Sequence, residues 1–147
     1  MKRDLSDCLV LGLDGVESTT VYSQLGEGAF KAVLLDWRGT YPDPEAYLTP
    51  LLSCSNPSGE ICLDGEAAIS GSFWSTSGLQ EALRSSDELR GAARHAELKR
   101  IERMSALGAA YIPVWLESPR AWGQTDLSVP EFDGSGHVRL NRLRRTR

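Results

Sequence analysis

The sequence predicts an α+β domain in which a small, mostly antiparallel sheet packs against one long helix. Short runs of apolar and β-type residues between turn signals are typical of strands. A stretch of about twenty residues before Gly108 has helical periodicity instead. The 147 residues are 41% hydrophobic and 24% charged, which is ordinary for a single globular domain with its own core.

The first half of the chain predicts a strand meander, a proline-rich connection and a hairpin. Residues 7–14, DCLVLGLD, and residues 29–37, AFKAVLLDW, are apolar runs bounded by turn signals, and each predicts a strand. Residues 40–52 contain three prolines, so they predict a loop with one helical turn rather than a central strand. The Asp64-Gly65 pair predicts a hairpin turn between strands at 61–63 and 66–74.

The helical part of the sequence begins near Gly78. Residues 78–84 predict one or two turns, and Ser85-Ser-Asp-Glu88 has the pattern of a capping box that opens a longer helix. Gly108 is expected to end that helix. On a helical wheel Leu98 points away from the main apolar face and Ile101 lies at its edge. The residues on the predicted core face, which is expected to cover the sheet, are Leu89, Ala92, Ala93, Ala96, Met104 and Leu107.

The C-terminal third predicts an edge strand, an extended arm and a basic tail. Residues 109–117 predict a strand, but Pro113 confines it to an edge or a bulge because proline has no N–H. We define the arm as residues 117–136, which have no period and are rich in Pro and Trp. Residues 1–137 are predicted to form one domain that includes the arm, and residues 138–147 a final strand and a basic tail.

Charge and cysteine content limit the kinds of partner and the cellular location that are expected. Residues 138–147 carry five arginines and no acid, whereas the other 137 residues carry 11 basic and 20 acidic ones. Such a tail can pair with an acidic neighbouring subunit or contact nucleic acid. The three cysteines, Cys8, Cys54 and Cys62, cannot all pair within one chain, so they are expected to be reduced thiols. The expected location is the cytoplasm or an assembled particle, without membrane contact.

The arm and its flanks hold the residue types that anchor protein interfaces. Tryptophan and arginine are enriched at such anchors because they bury a large rigid surface or form several hydrogen bonds. Trp122 is expected to be exposed or interfacial, whereas Trp115, between apolar neighbours, is equally compatible with one end of the core. The predicted binding residues are Trp115, Arg120, Trp122, Phe132, Arg142, Arg144 and Arg145.

A second set of residues points to metal-dependent chemistry. Carboxylates beside a lysine can hold Mg²⁺ and help to activate water. Asp64, Glu66, Glu97 and Lys99 form such a set. This set loosely resembles the magnesium site of the PD-(D/E)XK nucleases, which implies a metal-dependent nuclease. In that family the Glu-x-Lys lies on a strand, whereas Glu97 and Lys99 fall in the predicted helix, where residues two apart diverge by about 200°.

The leading hypothesis is a non-enzymatic structural or assembly subunit, or an adaptor. No nucleotide-binding loop, zinc-protease motif or hydrolase elbow occurs in the sequence, so no catalytic residue, metal or cofactor is assigned. The expected partners are other protein subunits in a homo- or hetero-oligomer, as in a component of a phage or virus particle. The alternative is a small metal-dependent nuclease or another enzyme that processes nucleic acid.

Overall fold

The computed structural model describes residue 12 and residues 14–146, and over this range the chain has the predicted α+β class. Two antiparallel strands, β1 (Pro57–Ser58) and β2 (Ile61–Cys62), form a small sheet. Short 3-10 helices lie at Leu25–Glu27 and Leu140–Arg142. The α-helices are α1 (Ser18–Gln24), α2 (Glu45–Leu52), α3 (Glu66–Ile69), α4 (Leu79–Glu88) and α5 (Gly91–Gly108).

The hairpin turns earlier in the chain than the sequence predicted. Pro57 pairs with Cys62 and Ser58 with Ile61, so the turn lies at Gly59-Glu60 rather than at Asp64-Gly65. Gly65 instead leads into α3 with φ 118°, and a β-carbon there would lie 2.8 Å from the backbone nitrogen of Ser55. The predicted strand at 66–74 is therefore wrong, because its first residues form a helix and only Trp74 makes a single bridge, to Ile61.

The predicted strand at 29–37 is also wrong. These residues have no regular secondary structure, and most of them are exposed. The segment is held by side chains instead: the indole nitrogen of Trp37 donates a hydrogen bond to the carbonyl of Ala46 at 3.2 Å. The predicted strand at 7–14 lies largely outside the described residues.

A short helix is followed by a long one, as predicted, but the long helix begins later than the predicted capping box at Ser85–Glu88. Ser85–Glu88 form the last turn of α4, and the Ser86 hydroxyl donates to the carbonyl of Leu83 at 2.8 Å. The break comes at Leu89 and Arg90, which have extended backbone angles, and α5 begins at Gly91 with φ 57°. At the other end α5 includes Gly108, and it is Ala109 that takes the left-handed conformation.

The buried face of α5 is nearly opposite to the predicted one. Leu98 and Ile101 are buried, whereas Ala93, Ala96 and Leu107 are exposed. α5 packs against α4 and α2 rather than against the sheet. Leu98 and Ile101 belong to the core cluster that includes residues of α4 and α2, whereas Met104, from the predicted face, is half-buried against that cluster.

The core consists of two adjoining clusters. Leu52, Leu79, Ala82, Leu83, Leu98 and Ile101 form the cluster between the helices. Cys54, Cys62, Ala67 and Ala68 form the cluster beneath the hairpin. Cys54 and Cys62 are joined by a disulfide, so the prediction of reduced thiols is wrong for this pair.

Gln80 links the two clusters from α4. Its side-chain oxygen accepts a hydrogen bond from the backbone of Cys54 at 2.9 Å, and its nitrogen donates to the carbonyl of Leu52 at 3.1 Å. One amide side chain thus pairs backbone groups at the end of α2 that burial would otherwise leave unsatisfied.

The C-terminal third is largely irregular. Residues 112–124 have no regular secondary structure, so the edge strand predicted at 109–117 does not form within this chain. The predicted final strand at 137–143 is replaced by the 3-10 helix at Leu140–Arg142. Single bridges join Phe132 to Val138 and Leu127 to Arg145.

Candidate interaction surface

A run of exposed apolar side chains follows α5. We call residues 112–116 the apolar segment; Ile112, Val114 and Leu116 alternate along it, and all three side chains are exposed. Trp115 is 67% exposed, which excludes a place for its ring in the core of this chain. Contiguous exposed apolar surface of this kind is typical of sites where another macromolecule binds.

The apolar segment is held to the rest of the chain on its N-terminal side. The Tyr111 hydroxyl lies 2.6 Å from the Ser70 hydroxyl and donates to the carbonyl of Leu51 at 3.2 Å. Beyond its C-terminal end, Pro119 lies near Gly136 within the arm. The segment therefore follows a fixed point at Tyr111 and is itself exposed to solvent.

Trp122 lies at a small pocket beside this segment. The pocket has a volume of about 310 Å³ and is lined by Glu117, Ser118, Pro119, Arg120, Trp122 and Arg38. Trp122 is 87% exposed, as the sequence predicted. Two guanidinium groups beside an exposed indole can bind a carboxylate while the ring covers apolar surface.

Arg38 belongs to this surface although sequence reasoning did not find it. It lies 98 residues from Gly136, and its guanidinium donates to the carbonyl of that glycine at 3.4 Å. A contact across such a separation depends on the tertiary fold, and the local pattern around Arg38 contains no signal for it.

The basic tail folds back along the arm. The amide of Ser128 donates to the carbonyl of Arg144, and the amide of Thr146 donates to the carbonyl of Asp126, each at 2.8 Å. Phe132 is half-buried in this paired region, opposite Val138. The structure therefore pairs residues 126–132 of the arm with residues 138–146 of the tail.

Two of the predicted tail arginines form ion pairs with acids of the arm. Arg142 lies 3.1 Å from Glu131, and Arg145 lies 3.6 Å from Asp126. Arg144 contributes its backbone to the pairing, and its side chain is exposed. The charge of the tail is thus partly balanced within the chain, which leaves less of it for a phosphate backbone or an acidic neighbour.

The turn between arm and tail is fixed by Asp133. Its carboxylate accepts hydrogen bonds from the amides of His137 and Ser135, each at 2.9 Å. The bond from His137 is the largest cause that lowers the pKa of Asp133; burial opposes it, and the bond from Ser135 adds to the lowering. This carboxylate thereby orders the glycine-rich turn at 133–136.

The four residues of the nuclease alternative do not come together as a metal site. Glu97 accepts hydrogen bonds from Arg100 on the same helix, and this interaction lowers the pKa of Glu97. Asp64 accepts from the Ser55 hydroxyl at 3.1 Å, Glu66 lies in the first turn of α3, and Lys99 lies exposed on α5. Among residues 12 and 14–146, no three His, Cys, Asp or Glu side chains are grouped so as to hold a metal ion.

No family model, curated protein or solved structure matches this chain. Of the helices in the described part of the chain, none combines the length and the apolarity needed to cross a bilayer.

Proposed function

We propose that the protein is a structural or assembly subunit that binds neighbouring protein subunits, including further copies of itself, through the apolar segment and the arm. The observation that carries this proposal is the run of exposed large side chains from Ile112 to Trp122. Leaving these side chains in water is unfavourable, and a partner that covers them gains the free energy of their burial.

The proposed location is an assembled particle, such as that of a phage or virus. The Cys54–Cys62 disulfide supports the particle over the cytoplasm as the place where the chain resides. Disulfides persist on virion and cell surfaces and in other oxidising settings, whereas cytosolic thiols are kept reduced. The partners in such a particle are other protein subunits in a homo- or hetero-oligomer.

The nuclease alternative receives no support from the described residues. Glu97 is paired with Arg100, and Asp64 is engaged by Ser55 in the turn after the hairpin. Because the proposed contact surface does not include Asp64, the substitution Asp64→Ala is expected to leave assembly intact.

The proposal is tested by sedimentation velocity over a dilution series. Wild type is expected to form a concentration-dependent oligomer that Leu116→Asp weakens, because a charge on the apolar segment must be desolvated in the contact. Leu34→Asp is the matched control, since Leu34 is 71% exposed but lies outside the segment and the arm. A wild-type chain that stays monomeric at every concentration would contradict self-assembly.

A further inference from the structure

The apolar segment has the residue pattern of a strand but no regular secondary structure in the described chain. Ile112, Val114 and Leu116 occupy every second position, so their side chains would share one face of an extended strand. In the described part of the chain, none of their backbone N–H or C=O groups takes part in a hydrogen bond. Such a segment can pair with a second strand by main-chain hydrogen bonds, a recognised mode of protein association.

Pro113 determines which edge of this strand can pair. In a strand, the N–H and C=O of one residue point to one edge, and those of the next residue point to the other. The edge formed by residues 113, 115 and 117 lacks one N–H because of Pro113. The edge formed by Ile112, Val114 and Leu116 keeps every donor, so it is the edge on which a complete ladder can form.

The segment is complementary to itself. In an antiparallel pairing centred on Val114, Ile112 of one copy faces Leu116 of the other, and the two Val114 residues face each other. Residues 111–116 carry no charge, so two copies meet without like-charge repulsion. On one face the cross-strand neighbours are all aliphatic, and on the other face Pro113 of one copy lies opposite Trp115 of the other, so both faces of the pair are apolar.

Charged groups outside the apolar segment favour the same antiparallel pairing. The last turn of α5 has no basic residue, so the partial negative charge of its C-terminus is not balanced by its own helix. If the register centred on Val114 continues beyond the segment, Arg120 of each copy lies opposite Gly108, the last residue of α5 in the other copy. A cation at that position is stabilising.

We propose that residues 112–116 become a β-strand by pairing antiparallel with the same segment of a second copy of this chain, centred on Val114. This rests on the proposed assembly function and specifies its first contact. The tether at Tyr111 reduces the conformational freedom that pairing has to remove.

The test is residue-resolved amide hydrogen exchange by NMR on the full chain, at concentrations below and above the association midpoint. Exchange of the Ile112, Val114 and Leu116 amides is expected to slow on the order of tenfold or more on association. The amides of Trp115 and Glu117, which point to the other edge, are expected to keep their monomer rates. Protection of the odd-numbered amides, or of none, would overturn strand pairing on this edge.

Proline substitutions test the same edge by sedimentation. Leu116→Pro removes two symmetry-related inter-chain hydrogen bonds and should raise the dimer Kd on the order of thirtyfold. Glu117→Pro removes an N–H from the opposite edge and should change the Kd by less than about threefold. Leu116→Val keeps the N–H and controls for the shorter side chain.

The outcomes separate the two proposals. Association that survives Leu116→Pro unchanged overturns strand pairing while the assembly function stands. A wild-type chain that does not associate overturns both. Association lost equally in Leu116→Pro and Glu117→Pro overturns the choice of edge.

Discussion

The two leucines of α5 lie on its buried and its exposed face, so replacing each one tests which face points inward. Leu98 is 5% exposed and Leu107 is 82% exposed. Leu98→Ala is expected to lower the free energy of unfolding by about 2–5 kcal/mol, because it leaves a cavity between α4 and α5. Leu107→Ala is expected to stay within about 0.5 kcal/mol. Denaturant unfolding of both variants checks this, and equal losses would mean that the inward face is wrongly assigned.

Asp43 ties the proline-rich loop to α5. Its carboxylate accepts hydrogen bonds from both terminal nitrogens of Arg94, at 2.8 and 2.9 Å, and another from the amide of Glu45 at the start of α2. The bond from Arg94 is the largest cause that lowers the pKa of Asp43, and the amide of Glu45 adds to it. The carboxylate is therefore held in its charged form in the folded chain.

This shift predicts a dependence of stability on pH. Because the folded pKa of Asp43 lies below its unfolded value, the contribution is fully present above the unfolded pKa and is lost as pH falls through the folded one. Wild type should therefore lose more melting temperature than Asp43→Asn between about pH 5 and about pH 2. Other carboxylates with lowered pKa are present in both proteins, so the difference isolates Asp43. Parallel acid profiles for the two proteins would contradict the prediction.

At the scale of elements, a cross-link adds to the contacts that hold the hairpin. β1 and β2 have two residues each, and a hairpin of that length is marginal without further support. The Cys54–Cys62 disulfide closes a separation of eight residues around it. Restricting the unfolded chain by such a loop stabilises the fold by about 2–3 kcal/mol in the chain-entropy account.

Reduction is therefore expected to lower the melting temperature of wild type. Reductant should have no such effect on the double variant Cys54→Ala/Cys62→Ala, which serves as the control. Calorimetry with and without reductant measures both proteins. An unchanged wild-type melting temperature after verified reduction would show that the hairpin does not depend on the cross-link.

The elements that the sequence predicts well are those determined by local chemistry. The aperiodic arm at 117–136 and the helix that ends near Gly108 both follow from local residue preferences, whereas the edge strand predicted at 109–117 does not form. The run at 29–37 failed because strand-forming residues become a strand only when another strand pairs with them, and none in the described chain does. Asp64-Gly65 failed because a glycine with positive φ can begin a helix as readily as it can close a hairpin.

The residues of the candidate surface also divide into those whose position local chemistry predicts and those whose position it does not. Exposure of Trp122 follows from its polar and small neighbours, and the structure has it exposed. The sequence could not decide whether Trp115 is buried or exposed, because its apolar neighbours are compatible with the core and with an exposed interface. Arg38 and the disulfide could not be predicted, since the first depends on a contact between distant segments and the second on pairing in space.

At the scale of the whole molecule, the charge is unevenly distributed and the tail moderates it. The chain has a formal net charge of -4, although residues 1–137 alone contain 20 acidic and 11 basic residues. The ion pairs of Arg142 with Glu131 and of Arg145 with Asp126 place the positive tail on the arm. The surface proposed to meet a second copy is thereby made less acidic, which reduces repulsion between copies.

Removing residues 144–147 and replacing Trp122 should therefore weaken association in different ways. Truncation removes the partner of Asp126 and leaves the arm more acidic, so association should weaken at low salt and recover as salt screens the repulsion. Trp122→Ala removes a large rigid apolar surface and should weaken association at every salt concentration, by about 2 kcal/mol or more for a buried anchor.

The monomer's melting temperature should change little in Trp122→Ala because the ring is largely exposed. Sedimentation of both variants at low and high salt, with melting curves alongside, measures these effects. If Trp122→Ala unfolds the monomer but leaves the oligomer of the folded fraction unchanged, the ring supports the fold rather than the contact.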